Sequence, residues 1–253
     1  MISPERSLGL ALDPCLFFQL VVGSPPDPGW QTSLLRSDAK RIVCACARQQ
    51  GKSAAAQTLA AHEILFGSGS GGSPPLVIIC APSLKQSTES ARKVFEAVRL
   101  VEPDVKMQSL TRLETSRGAR CLAMPSSEGS RGLSRVSLCV MDEASRILDT
   151  FVASVSPALA VSDGRLILLS TPFGKSGFFF RAWNGDSGDF ERYSAVAADN
   201  KRVSKEFLEQ EKIALGFLYP QEYENIFLDG ESQLIPSHLI EAARWESDEK
   251  PWL

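Results

Sequence analysis

The sequence predicts an α/β fold in which a mainly parallel sheet is flanked by helices. Four short apolar runs lack a helical stripe and are typical of strands buried on both faces: residues 42–47, 76–81, 137–141 and 166–169. An alanine-rich segment at residues 53–66 follows the first run, and a segment with helical spacing at residues 85–100 follows the second. This alternation of strand, loop and helix predicts parallel strands joined by right-handed crossovers.

The other elements divide the chain into a core and a small appendage. Two short alternating runs flank a turn at residues 116–119, which indicates a hairpin. A last strand is expected at residues 190–196. Three helices are expected after it: residues 204–215, 220–227 and 236–245. Because 253 residues suffice for one large core with an appendage, we predict a core at residues 1–185 and a helical lid at residues 186–253.

Composition excludes several broad classes. A hydrophobic fraction of 43% and a charged fraction of 23% are ordinary for a soluble globular protein. The net charge of −3 provides no overall attraction for nucleic acid, so any contact with DNA must be local. Residues 8–22 are apolar enough to resemble a signal peptide, but Asp13 and Pro14 interrupt them and indicate the start of a short helix.

The cysteines and histidines do not predict a metal site. Four of the six cysteines lie within the apolar runs: Cys44, Cys46, Cys80 and Cys139. We expect them to behave as small buried hydrophobic residues of a reduced, cytosolic protein. The two histidines, His62 and His238, have no partner at ligand spacing.

The most informative stretch is the polar turn between the first strand and the alanine-rich helix. The turn consists of Arg48, Gln49, Gln50 and Gly51. Lys52 and Ser53 then open the helix, which completes the strand, turn and helix arrangement that holds phosphate groups. In that arrangement Lys52 contacts the β and γ phosphates and the Ser53 hydroxyl is a ligand of Mg²⁺. The motif departs from GxxxxGKS because Cys46 occupies the position of the first glycine, and a chance GKS is the alternative.

A pair of carboxylates follows the third apolar run. Asp142 and Glu143 fall at the end of that strand, where α/β sheets place their sites. Since successive side chains of a strand point in opposite directions, Asp142 can hold Mg²⁺ through water while Glu143 orients and deprotonates an attacking water. Two acidic residues could also merely cap the next helix.

Two further segments lie near these motifs. Ser170, Thr171 and Pro172 end the fourth apolar run, where a hydroxyl could sense a γ phosphate and move on hydrolysis, although Ser-Thr-Pro is also a common turn. Trp30 and Gln31 open a short helix upstream of the first strand. The Gln31 amide could pair with both edges of an adenine, but such a pair is more often simple packing.

In this order, the motifs resemble the ATPase domain of the large terminase subunit, the DNA-packaging motor of tailed bacteriophages. The resemblance covers nearly the whole chain and also accounts for the missing first glycine. It rests on these segments: DPCLF at 13–17, WQ at 30–31, ARQQGKS at 47–53, APSLKQ at 81–86, SRGLS at 130–134, VMDEAS at 140–145, STPFGKSG at 170–177 and YPQEYENIF at 219–227.

The resemblance implies a P-loop NTPase fold of the RecA-like, ASCE type with a small helical lid. It implies an ATPase that uses ATP and Mg²⁺ and translocates double-stranded DNA into a procapsid. The implied partners are the portal protein, the small terminase subunit and further copies of the chain in a ring, in the cytoplasm of the infected bacterium and without a membrane. Members normally continue into a nuclease domain; this chain ends at Leu253, so we expect no nuclease activity from it.

By the same resemblance, Arg131 is assigned as an arginine finger that acts on the ATP of a neighbouring subunit. The resemblance implies that Arg48 shapes its own loop or senses nucleotide. It also implies that residues 170–172 are the coupling motif. Clustered arginines such as Arg131 and Arg135 are otherwise typical of a solvated face.

Two other functions remain open from the residues. A superfamily 2 helicase fragment also pairs a phosphate loop with an Asp-Glu motif, but it normally needs a second RecA-like domain for which no length remains. A nucleotide-dependent switch would bind ATP without turnover, and Glu143 argues against it because a pure binder has no need of a second carboxylate.

Overall fold

An eight-stranded sheet lies at the centre of the computed structural model, which describes residues 3–128 and 132–229. The strands in chain order are β1 (Arg41–Cys46), β2 (Leu76–Ala81), β3 (Met107–Gln108), β4 (Arg112–Glu114), β5 (Arg120–Pro125), β6 (Leu138–Asp142), β7 (Arg165–Ser170) and β8 (Glu191–Ala195). Across the sheet they run β3-β4-β5-β2-β6-β7-β1-β8. The pairs from β5 to β8 are parallel, whereas β3-β4 and β4-β5 are antiparallel.

Helices cover both faces of this sheet. Those in the described residues are α1 (Pro4–Leu12), α2 (Pro14–Val22), α3 (Trp30–Arg36), α4 (Lys52–Phe66), α5 (Leu84–Val101), α6 (Asp149–Ser162), α7 (Gly177–Asn184), α8 (Lys205–Leu215) and α9 (Tyr219–Tyr223). Local sequence explains their starts. The Asp13 side chain accepts a hydrogen bond from Cys15 N at the start of α2, and Ser83 caps α5 in the same way.

Two apolar clusters pack on opposite faces of the sheet. Alternation along β1 divides its residues between them, with Ile42 and Cys44 in the cluster beneath α2 to α5, and Val43 and Ala45 in the cluster beneath α6 and α7. A strand buried on both faces must be apolar throughout, which is why β1 shows no alternation of polar and apolar residues. The core therefore has three layers, with the central strands fully enclosed.

The structure confirms the predicted fold class. The four apolar runs are β1, β2, β6 and β7, and the predicted hairpin is β4 and β5. The last predicted strand is β8, which pairs with β1 at the edge of the main sheet although it lies beyond residue 185. The division into core and lid stays a prediction, and the third predicted lid helix lies outside the described residues.

The six cysteines are free and buried, and the four in the apolar runs are small buried residues as predicted. Burial raises the pKa of Cys46 and of Cys139 to about 12, so both thiols stay protonated at neutral pH. Within residues 3–128 and 132–229, no three or more His, Cys, Asp or Glu side chains cluster in a way that could hold a metal ion. In the same residues no helix has the length and apolarity to cross a membrane.

Candidate active site

The motifs singled out in the sequence meet at the carboxyl edge of the sheet. Strand β7 lies between β6 and β1, and its register pairs Leu169 with Asp142 on one side and Ser170 with Ala45 on the other. The polar turn follows β1, the acidic pair ends β6 and the Ser-Thr-Pro segment ends β7. Parallel α/β sheets bind their ligands at this edge.

The polar turn has a backbone conformation that requires glycine. Gly51 has a φ of 75°, and a Cβ at this position would lie 2.6 Å from the Gln31 Nε2 atom. Gln49 also has a positive φ, of 59°. Within the described residues no side chain caps the N-terminus of α4, so the first amides of the helix remain available to an anion. Cys46 lies at the end of β1, before the turn begins.

Lys52 and Ser53 lie at the start of α4 and face the end of β6. Lys52 is only 8% exposed, and its ammonium donates a long hydrogen bond of 3.5 Å to the carbonyl of Ala47. The Ser53 hydroxyl donates to the Asp142 carboxylate over 3.4 Å. Both distances are longer than those of normal hydrogen bonds, so neither side chain is locked in its present position.

The acidic pair is partly buried, and its backbone is strained. Burial, and next the charge of Glu143, raise the pKa of Asp142, while the Lys52 charge and the Ser53 hydrogen bond oppose this. The Asp142 carboxylate also accepts the Glu143 amide over 3.1 Å. Glu143 itself has a φ of 54°, in the left-handed region that non-glycine residues adopt at a cost of about 1–3 kcal/mol.

The oxygens of Ser53 and Asp142 suit a magnesium ion. Proteins usually hold Mg²⁺ through one or two of their own oxygens, and phosphate oxygens and waters complete the octahedron. The raised pKa of Asp142 also favours a cation beside it, because a carboxylate withdrawn from water is costly to ionise without one. The residues present therefore fit the ion that the sequence predicts.

Gln31 makes a contact that the sequence did not predict. Its side chain is 8% exposed, accepts the Asp27 amide over 2.8 Å and donates to the Gln50 carbonyl over 3.1 Å. Both ends of the amide are thus bonded to the protein, and Gln31 supports the polar turn. The predicted contact of Trp30 and Gln31 with a base stays a prediction.

Residues from the C-terminal part of the described chain also hold the polar turn. Glu222 forms a salt bridge with the Arg48 side chain, which raises the pKa of Arg48, and its carbonyl accepts the Arg48 amide over 3.1 Å. Asn200 donates to the Gln49 carbonyl over 3.1 Å, and Asn225 donates to the carbonyl of Ala45. Sequence analysis missed these residues, although Glu222 and Asn225 lie within the YPQEYENIF segment quoted above.

The Ser-Thr-Pro segment is packed inside the site. Ser170 is fully buried and Thr171 is 8% exposed, and the Ser170 hydroxyl is hydrogen-bonded to the Ser145 hydroxyl over 2.7 Å. Pro172 follows directly. Arg131, the predicted arginine finger, lies outside the described residues.

Two curated proteins are similar to the chain over most of its length. They are the large terminase subunits of Thermus virus P23-45, at 29% identity, and of Thermus phage G20c, at 27% identity; each alignment covers 82% of this chain. Its curated relatives are large terminase subunits. The chain spans about half the length of these relatives, at 49% of each. No family model matches the chain.

Solved large terminase structures share the fold. The large terminase ATPase domain of Thermus phage P74-26 superposes with a TM-score of 0.71 at 23% identity, covering 85% of this chain and 99% of that domain. The large terminase of a thermophilic bacteriophage, in complex with ATP-γ-S, gives 0.60 at 16% identity, over 79% of this chain and 52% of that one. The HK97 large terminase gives 0.61 at 15% identity, over 83% and 47%. The resemblance to large terminases that the motifs indicate is thereby confirmed.

Proposed function

We propose that this chain is the ATP-hydrolysing motor domain of a large terminase and drives double-stranded viral DNA into a procapsid. The observation that carries the proposal is the placement of Lys52 and Ser53 at an uncapped helix start, facing Asp142 and Glu143 across one sheet edge. The relatives' name and the terminase ATPase fold support it. The thermophilic bacteriophage terminase that shares this fold has been solved with ADP and with ATP-γ-S.

The polar turn would hold the phosphates of ATP. Backbone amides of residues 48–53 would surround them at the positive end of the α4 dipole. Lys52 would exchange its weak bond to the Ala47 carbonyl for the β and γ phosphates. Ser53 and Asp142 would hold Mg²⁺, which when bound neutralises charge on the phosphate oxygens.

Glu143 would then act as the general base. It directly follows Asp142, the last residue of β6, and its backbone is in the left-handed region. From there it would orient a water for in-line attack on the γ phosphate and accept the water's proton, so that ATP and water become ADP and phosphate. A device that only binds nucleotide would have no need of this strained second carboxylate.

The remaining predicted residues would assist this reaction. Arg131 would reach the γ phosphate of a neighbouring subunit, whereas Arg48 would act within its own subunit. Ser170, Thr171 and Pro172 would report the γ phosphate to the rest of the motor. Trp30 would flank the base, while the Gln31 side chain supports the turn through Gln50.

We place this motor domain in a homo-oligomeric ring on the portal protein. The ring would work in the cytoplasm of an infected bacterium, and its other partners would be the small terminase subunit and double-stranded DNA. The curated relatives' identity as large terminase subunits supports this setting. DNA contacts would be local, because the net charge of −3 gives no general attraction for DNA.

A complementation experiment tests both the phosphate site and the arginine finger. Lys52→Ala should abolish hydrolysis because the phosphate loses its ammonium, and Arg131→Ala should lower it by about 10³-fold or more because the transferring phosphate loses a guanidinium. Mixed rings of the two variants should recover activity where an intact site meets an intact finger. The control is Lys93→Ala, an exposed lysine on α5.

The outcomes separate the two assignments. Full activity of Lys52→Ala would contradict the phosphate site. Rings that contain both variants and recover nothing would contradict a finger acting between subunits and would make Arg48 the next candidate.

A further inference from the structure

A pair of serines joins the acidic pair to the coupling segment. Ser145 lies two residues after Glu143, and its hydroxyl is 2.7 Å from the hydroxyl of Ser170. Ser170 is fully buried and is paired in the sheet with Ala45, near the end of β1 and shortly before the polar turn. The serine pair therefore connects the turn that follows the acidic pair to β7, which pairs with β1 shortly before the polar turn.

A second contact joins the turn after β6 to the segment that follows β7. The guanidinium carbon of Arg146 lies 4.0 Å from the ring centre of Phe173, within the range of a cation–π interaction. Phe173 is 46% exposed and belongs to the STPFG stretch that follows β7. Two neighbouring residues of one turn thus contact Ser170, at the start of the Ser-Thr-Pro segment, and Phe173, directly after it.

The turn that bears these residues is stiff. Residues 144–146 form a single 3₁₀ turn, in which the Arg146 amide bonds to the Glu143 carbonyl over 3.0 Å and the Ile147 amide bonds to the Ala144 carbonyl over 3.2 Å. The side chains of Ala144 and Ile147 are buried in the apolar cluster beneath α6 and α7. A backbone shift at Glu143 would therefore move Ser145 with it instead of being absorbed within the turn.

The contacts continue from the turn to α7. The Asp149 carboxylate accepts the Phe178 amide over 2.7 Å and the Arg181 side chain over 2.6 Å. The hydrogen bond from Arg181 lowers the pKa of Asp149, so this carboxylate stays ionised at neutral pH. Asp149 thus ties the segment after the turn to the first turns of α7.

From α7 the contacts reach the last described residues. Phe227 packs against an aromatic face of α7, with ring centres 5.1 Å from Phe180 and 6.3 Å from Trp183. Lys175, just before α7, forms a salt bridge of 3.1 Å with Asp229. A continuous series of contacts therefore leads from the carboxylate end of β6 to residue 229.

We propose that Ser145 is a positioning residue that couples Glu143 to the coupling segment through its hydrogen bond to Ser170. Displacement of Glu143 by nucleotide moves the stiff turn. The serine pair carries that movement to β7, and the Asp149 contacts carry it to α7 and on to the segment ending at Asp229. The inference rests on the proposed function, because it assumes that Glu143 acts on ATP.

Hydrolysis by serine variants of the full chain tests the inference. Ser145→Ala and Ser170→Ala should each lower kcat about tenfold at an unchanged KM for ATP, because each removes the same hydrogen bond while the polar turn stays intact. The double variant should be no slower than the slower single variant, since one interaction cannot be lost twice. Ser145→Thr keeps a hydroxyl and should restore most of the rate.

The matched control is Ser156→Ala, which removes a hydroxyl that donates to the Val152 carbonyl within α6. It should leave kcat unchanged. Melting temperatures are measured for every variant, because a merely structural serine pair would lower stability without changing kcat. If Ser145→Ala does not fold, Phe173→Leu at a half-exposed position replaces it and should lower kcat two- to threefold.

The results distinguish the inference from the proposed function. A kcat within twofold of wild type for Ser145→Ala, or losses that multiply in the double variant, would overturn the inference alone. A wild-type chain that binds ATP without any turnover would overturn the proposed function and the inference with it.

Discussion

Gly51→Ala should damage the site through two separate effects. The first is backbone strain, because an alanine with the φ of 75° found here costs about 1–2 kcal/mol. The second is steric, because the new Cβ would lie 2.6 Å from Gln31 Nε2. Gln31 can move away only by giving up its bonds to Asp27 and Gln50, which together contribute about 1–3 kcal/mol.

The structure offers a control that separates these effects. Gly23 has a nearly identical φ of 79° at the end of α2, and a Cβ there would meet nothing within 4 Å. Gly23→Ala should therefore lose only the strain energy, with a melting temperature lower by about 2–8 °C in a chain of this size. Gly51→Ala loses both terms, so its melting temperature should fall by about 4–20 °C, and nearly all ATP hydrolysis should be lost.

Thermal melts and a phosphate-release assay on the two variants test whether Gly51→Ala loses more stability and activity than Gly23→Ala. The double variant Gly51→Ala with Gln31→Ala should be closer in stability to Gln31→Ala than additivity predicts, because the clash is already gone. Equal melting temperatures for Gly23→Ala and Gly51→Ala, together with full activity of the latter, would refute the reasoning.

Three further predictions concern single side chains of the site. Asp142→Asn should abolish hydrolysis but raise the melting temperature without nucleotide. The pKa of Asp142 is raised in the folded state, so ionisation of its carboxylate opposes folding. The stability gained by Asp142→Asn should therefore grow as pH rises from the unfolded-state pKa towards the folded-state pKa. A gain in stability that does not change with pH would contradict this. Gln31→Glu should lower kcat/KM for ATP and GTP by the same factor if the side chain supports the turn, whereas a change in the ATP/GTP ratio would show a base contact. Thr171→Ala should leave ATP affinity within about twofold while uncoupling hydrolysis from DNA movement, because the residue follows β7 and is not part of the phosphate turn. Normal packaging by that variant in the complete motor would make Ser-Thr-Pro an ordinary turn.

The parts of the fold that the sequence predicted are those fixed by local rules. Strands enclosed on both faces must be apolar throughout, so β1, β2, β6 and β7 could be read directly. The polar turn and the acidic pair were readable because each follows such a strand at a defined position. Helix α6 was missed because Pro157 lies inside it, and proline usually argues against a helix.

The parts that escaped prediction depend on contacts between distant residues. Glu222 reaches Arg48 across 174 positions of the chain, and Asn225 reaches Ala45 across 180. Nothing local in the sequence marks Glu222 as a partner of the polar turn or Asn225 as a partner of β1. Gln31 illustrates the same limit, because nothing in the sequence indicates that its amide donates to the Gln50 carbonyl.

The most direct test of the proposed function is Glu143→Gln in the full chain. The substitution keeps the size of the side chain but removes the base, so ATP affinity should stay within about threefold of wild type while turnover falls by roughly 10²–10⁴-fold. Affinity is measured with a fluorescent ATP analogue and turnover by phosphate release, with Glu96→Gln on the exposed face of α5 as the matched control. Turnover by Glu143→Gln close to the wild-type rate would contradict the assignment of Glu143 and the mechanism built on it.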